Sequence, residues 1–147
     1  MNNGYCIIDA HCHIYPAKIA ARAAAGIGTF YRTKSACGGT AEELLRRADA
    51  CGIDRFIVES VATSAHQVRD INEFIAAEVA AAGGRFFGLG TLYPDSPDLV
   101  GDYRHLRELG LHGIKLHPDI QGFKIDDFRC LRIYEMCEAD GLPILMH

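Results

Sequence analysis

No stretch of the 147-residue chain approaches the roughly 18 apolar residues of a membrane span, and Asp9 interrupts the one candidate run near the N-terminus. No cationic segment precedes that run either. A soluble, cytoplasmic protein without membrane contacts is therefore expected. A basic tract is missing too: 15 Lys and Arg stand against 19 Asp and Glu, for a net charge of −4, with no spaced aromatics to follow a phosphate backbone. Nucleic acid is thus not an expected partner. No Cys-x-x-Cys pair occurs among the six cysteines Cys6, Cys12, Cys37, Cys51, Cys130 and Cys137, so reduced and mostly buried thiols are expected, with Cys12 the one placed to approach a metal. No Gly-x-Gly-x-x-Gly follows the first apolar run, which removes the phosphate-binding turn of a dinucleotide fold. Nor does any linker or low-complexity tract divide the chain, and residues 1–147 read as a single domain.

What the chain does contain is a repeating unit. Gly52, Gly83 with Gly84, Gly110 and Gly141 each close a helical pattern and are followed by an apolar run. Those runs are 55–61, 85–92, 112–117 and 142–147, and the segment ending at His13 precedes them. Between the runs, Val68, Ile71, Phe74, Ile75 and Val79 form one helical stripe, Leu99, Tyr103 and Leu106 another, and Leu131, Tyr134 and Cys137 a third. Thr40 with Glu43 has the form of a capping box, and Ser96 is placed to start the helix after it in the series' third unit. Strands alternating with helices imply right-handed βαβ units and a parallel sheet of about five strands. The long first connection, from Ile14 to about Ala50, reads as a mobile loop over 26–39 above the strand ends.

The chemistry-bearing residues fall at the ends of these runs. Ile7-Ile8-Asp9-Ala10-His11-Cys12-His13 is an apolar strand ending in two histidines, and period-two alternation puts Asp9, His11 and His13 on one face. His147 closes the similar run Leu142-Pro143-Ile144-Leu145-Met146. Together His11, His13 and His147 would offer three nitrogen ligands to a divalent metal and leave a position open. In Gly113-Ile114-Lys115-Leu116-His117-Pro118 the inward face carries Lys115 and His117. Lys115 can pair with Asp9 or another acid, clamp a substrate carboxylate, or serve as a carbamylated ligand. His117 can contact substrate, support a ligand or simply end a strand. Glu59 reads as a solvated rim carboxylate, and His66, His105 and His112 receive no role.

The three motifs at strands one, four and five resemble the amidohydrolase superfamily, in particular its amidohydrolase-2 branch of metal-dependent (β/α)8 barrels. Lys115 distinguishes the chain from DNase-type hydrolases that share the first motif. The resemblance implies an α/β fold, here a partial TIM barrel, with zinc the usual metal on His11, His13 and His147; Lys115 and His117, from their place on the inward face, are the candidates to contact a small-molecule substrate. It implies a hydrolase that brings metal-bound hydroxide to an amide, ester or lactone. Non-oxidative decarboxylation in the same branch is the alternative. At 147 residues the chain is short of the about 250 of a full barrel, so it reads as the N-terminal portion of a longer enzyme, without turnover on its own. A non-catalytic half-barrel that self-associates as a homo-oligomer is the reading from another class.

Overall fold

The computed structural model describes residues 4–147. Its strands are β1 (Ile8–His13), β2 (Arg55–Glu59), β3 (Phe86–Gly88), β4 (Gly90–Thr91), β5 (Ile114–Leu116) and β6 (Ile144–Met146). All are parallel, in the orders β1-β2-β3 and β4-β5-β6. The expected run 85–92 is divided at Leu89, whose amide still donates to Val58 O at 2.9 Å while the Gly90 amide donates to Gly113 O at 2.9 Å. At that residue the strand passes its hydrogen bonds from one neighbour to the next. The sheet therefore curves as one continuous parallel series, the partial barrel that the alternation implies.

The helices are α1 (Ala17–Phe30), α2 (Ala41–Cys51), α3 (Val68–Ala81), α4 (Leu99–Glu108), α5 (Pro118–Gln121) and α6 (Phe128–Asp140), with a 3-10 turn over Ala65–Gln67. Helix α1 corrects the expected loop: its alanines are strong helix formers and carry Gly26 and Gly28 within the helix. Between α1 and α2 the stretch from 31 to 40 lacks regular structure. Thr40 caps α2 as expected, accepting from the Glu43 amide at 3.2 Å, but the Glu43 carboxylate turns to the Gly38 amide and Arg47 instead of closing the box. Ser96 does not start α4. Asp98 does, accepting from the Gly101 amide, while Ser96 donates to Asp102. Gly52 and Gly141, at φ 70° and 63°, end α2 and α6 in the left-handed conformation that a side chain disfavours.

Phe56, Val58, Ile75, Leu106, Ile114 and Ile133 are fully buried between the sheet and these helices. Asn72 of α3 is buried with them and brackets Thr91, accepting from its amide at 2.7 Å and donating to its carbonyl at 3.1 Å. All the cysteines are free, but only Cys12, Cys130 and Cys137 are buried; Cys6, Cys37 and Cys51 are exposed, against the expectation of mostly buried thiols. No helix among the described residues is long and apolar enough to cross a membrane.

Candidate metal centre

The C-terminal ends of the strands bring together residues far apart in the chain. In register, His13 lies beside Glu59, and Lys115 stands between Thr91 and Leu145. On β2, Phe56 and Val58 face the helices, so Glu59 falls in the opposite phase and points to the barrel interior. On β5, Ile114 and Leu116 likewise send Lys115 inward. The rim is fixed by the Ile14 amide donating to Glu59 O at 3.1 Å and by Ser60 Oγ donating to Ile14 O at 2.6 Å.

Glu59 is the centre of the group and is fully buried, which corrects its reading as a solvated carboxylate. Its Oε1 lies 3.0 Å from His11 Nε2, 3.6 Å from His13 Nε2 and 3.2 Å from the equally buried Lys115 Nζ. Lys115 Nζ is also 3.0 Å from His11 Nε2. Lys115 thus pairs with an acid, but the acid is Glu59. Asp9 is exposed: a bulge in β1 aligns Asp9 with Phe56 and Cys12 with Val58, putting Asp9 in phase with Cys12 and out of phase with His13. The Cys12 thiol turns the same way, toward Asp9 O, and burial pushes its pKa up to about 12.

Burial, then the Lys115 charge, lowers the His13 pKa to about 3. His11 is lowered for the same reasons. Burial raises Glu59, with Lys115 opposing. Neutral imidazoles beside a carboxylate make a donor set suited to a divalent cation. Two further observations agree with that fit. An ammonium only donates, so Lys115 leaves His11 Nε2 an acceptor, and that nitrogen then faces the Glu59 oxygen lone pair to lone pair. Glu59 Oε2 and His13 Nδ1 are buried without a hydrogen-bond partner, and Oε1 has only the Lys115 ion pair at 3.2 Å to offset its burial. The ligand atoms of His11, His13 and Glu59 lie within 4.8 Å of one another.

His147 stands beside this trio, its ring 5.8 Å from that of His11 and stacked on His117 at 4.1 Å and 10°. His117 caps α5: Nδ1 accepts from the Ile120 amide at 3.3 Å, and Nε2 lies 2.7 Å from the Tyr31 hydroxyl. Burial, then His147 and Lys115, brings the His117 pKa down to about 4. A cavity of about 1030 Å³ opens over the group, walled by Tyr15, Phe30, Tyr31, Phe74 and His117. Helix α1 supplies much of that wall: it runs on through 26–30, part of the expected loop, and so brings Phe30 and the capping Tyr31 to the cavity. The strand phase opposite Phe56 and Val58 gives the direction in which Glu59 points, but not its enclosure. His105 instead pairs with Glu73 at 3.3 Å, away from the centre.

The sequence profile of the amidohydrolase-2 family matches residues 8–147, so the chain belongs to that family of metal-dependent enzymes. A curated relative, 2-amino-3-carboxymuconate-6-semialdehyde decarboxylase of Dictyostelium discoideum, is 33% identical over 79 residues, 52% of this chain and 22% of its own. Among solved structures, 5-carboxyvanillate decarboxylase from Novosphingobium aromaticivorans, with bound manganese and 3-methoxy-4-hydroxy-5-nitrobenzoic acid, superposes with a TM-score of 0.76 at 21% identity. That superposition covers 100% of this chain and 52% of the other. A probable 2-pyrone-4,6-dicarboxylic acid hydrolase from Acinetobacter baumannii, with citric acid bound, gives 0.63 at 12% identity, covering 97% and 49%. At such identities the structural likeness speaks for the fold. The chain spans about half the length of these structures.

Proposed function

We propose that the chain carries the metal-binding end and one substrate wall of an enzyme that releases carbon dioxide from a small planar carboxylic acid without an oxidant. The observation that carries this reading is the buried Glu59, His11 and His13 group beneath a cavity walled by aromatic and imidazole rings. His11, His13 and His147 would hold a divalent ion, zinc in the first instance, with Glu59 against it. Such an ion supplies a Lewis acid for substrate oxygens. The protein's own residues do the rest. The stacked rings of His117 and His147 offer a flat face to a conjugated acid. Lys115, fully buried on Glu59, favours the paired-lysine alternative over a carboxylate clamp. It neutralises the carboxylate and, in the metal-free chain, holds His11 by its Nε2, a lone pair that the bound ion would take over. The decarboxylases among the similar proteins support this reaction class.

Hydrolysis of an amide, ester or lactone, the first expectation from sequence, is the second reading, and the likeness to a hydrolase supports it. Product analysis separates the two. The protein, expressed in its full natural reading frame and loaded with zinc or manganese, is incubated with a panel of hydroxylated and amino-substituted aromatic acids and of lactones. Carbon dioxide release that disappears in Glu59→Gln is the expected result. A hydrolysed product with no carbon dioxide would establish the second reading and overturn the first.

A further inference from the structure

The hydrogen bonds around His117 fix more than its position. A ring nitrogen that accepts an N–H carries no proton of its own, and Nδ1 accepts from the Ile120 amide at 3.3 Å. The single ring proton of a neutral imidazole is then on Nε2. Nε2 is 2.7 Å from the Tyr31 oxygen, so the imidazole donates and the phenol accepts. The Tyr31 O–H is thereby directed away from His117.

Both partners are held from behind. Gln121 accepts from the His117 amide at 2.8 Å and donates to Ala62 O and Leu92 O, tying the His117 backbone to the segments that follow β2 and β4. Tyr31 ends α1, with its amide on Ile27 O at 3.0 Å, and Arg32 after it adopts φ 53°, where the chain turns back so that the Thr33 amide meets Gly28 O. The Phe30 ring packs edge-on against the Tyr31 ring at 4.9 Å. Tyr31 lines the cavity together with His117 and His147, and the residue is 39% exposed.

We propose that Tyr31 is a substrate-orienting residue whose hydroxyl, its oxygen occupied by His117, donates to an anionic oxygen of the planar acid in the cavity. The inference rests on reading that cavity as the substrate site and adds the residue that selects for an acceptor oxygen there. A substrate lacking that oxygen would gain the rings' stacking but not this hydrogen bond.

The test uses the zinc-saturated protein labelled with 15N-histidine, with benzoate and its apolar counterpart toluene as probes. Long-range proton–nitrogen spectra should show His117 protonated at Nε2 and bare at Nδ1. Tyr31→Phe keeps the ring and should weaken benzoate binding by about tenfold or more, the weight of one hydrogen bond to a charged group, with toluene affinity kept within about twofold. A proton on Nδ1, unchanged benzoate affinity in Tyr31→Phe, an equal loss for both probes, or toluene binding without benzoate binding would each overturn the assignment. Those results leave carbon dioxide release untouched. If neither probe binds, the cavity reading falls and the assignment falls with it. Tyr31-dependent benzoate binding without carbon dioxide release would do the opposite, sparing Tyr31 and removing the decarboxylase.

Discussion

Glu59 and Lys115 are both without solvent exposure and 3.2 Å apart, so each is the other's main compensation for lost hydration. Removing one partner strands a charge. Glu59→Ala is expected to destabilise the metal-free protein by about 3–5 kcal/mol, and Glu59→Leu with Lys115→Met to recover most of that loss, in urea unfolding with chelator present. A single variant as stable as the parent would contradict the pairing. The histidines set a pH dependence of definite sign. Burial holds His13 at about 3 and His117 at about 4, so these two stay neutral when folded at a pH where the unfolded rings take a proton, and it lowers His11 from its ordinary 6.5 in the same direction. The unfolded state then binds more protons below about pH 6.5, and stability falls as the pH drops from there through about 4. Glu59, raised by burial, has the opposite sign: its contribution is present below its unfolded pKa and is lost as pH rises through the folded one. Three histidines outweigh one carboxylate, so the urea midpoint of the chelated protein should fall between about pH 7 and pH 5. A midpoint that holds or rises over that interval would contradict the burial of these rings.

Among the elements, what the sequence made legible was whatever rests on local periodicity. Gly52 and Gly141 end α2 and α6 as their positions require, and the stripe through Val68 and Ile75 is the buried face of α3. Departures came where a longer-range contact decides. The bulge in β1 depends on pairing with β2, and no pattern within Ile8–His13 announces it. The division of one strand at Leu89 depends on where β2 ends and β5 begins. Helix α1 was hidden by its glycines, although its alanines carry it. Two of these glycines and their neighbours make opposite predictions. A Cβ on Gly90 would run into Leu106 and Leu111, where α4 lies close to the sheet, so Gly90→Ala should cost about 1–3 kcal/mol by thermal or urea unfolding. Gly26 sits in α1 with nothing within 4 Å of such an atom, and Gly26→Ala should stabilise by about 0.5–1 kcal/mol. Equal effects at the two sites would show that α4 does not pack on β4 as described.

Across the whole molecule, parallel strands in sequential order carry every strand's C-terminal end to one rim, and that is how His11 meets Lys115, 104 residues away in the chain. The convergence of His11, His13, Lys115, His117 and His147 was legible because period-two alternation and strand order together place strand ends without any knowledge of side-chain contacts. The role of Glu59 was not, because a glutamate at the end of a strand is ordinarily solvated, and only the neighbouring strands' side chains show that this one is enclosed. The wall formed by Phe30 and Tyr31 was hidden for a similar reason, since it depends on how the first helix returns over the rim. The central claim is that this rim holds one divalent ion. Equilibrium dialysis of the chain against zinc, followed by elemental analysis, tests it most directly. One ion per chain is expected, weakened in Glu59→Gln and absent from the His11→Ala/His13→Ala variant, with the fold of each variant checked by circular dichroism. A parent protein that retains no ion, or a double variant that retains a full equivalent, would contradict it.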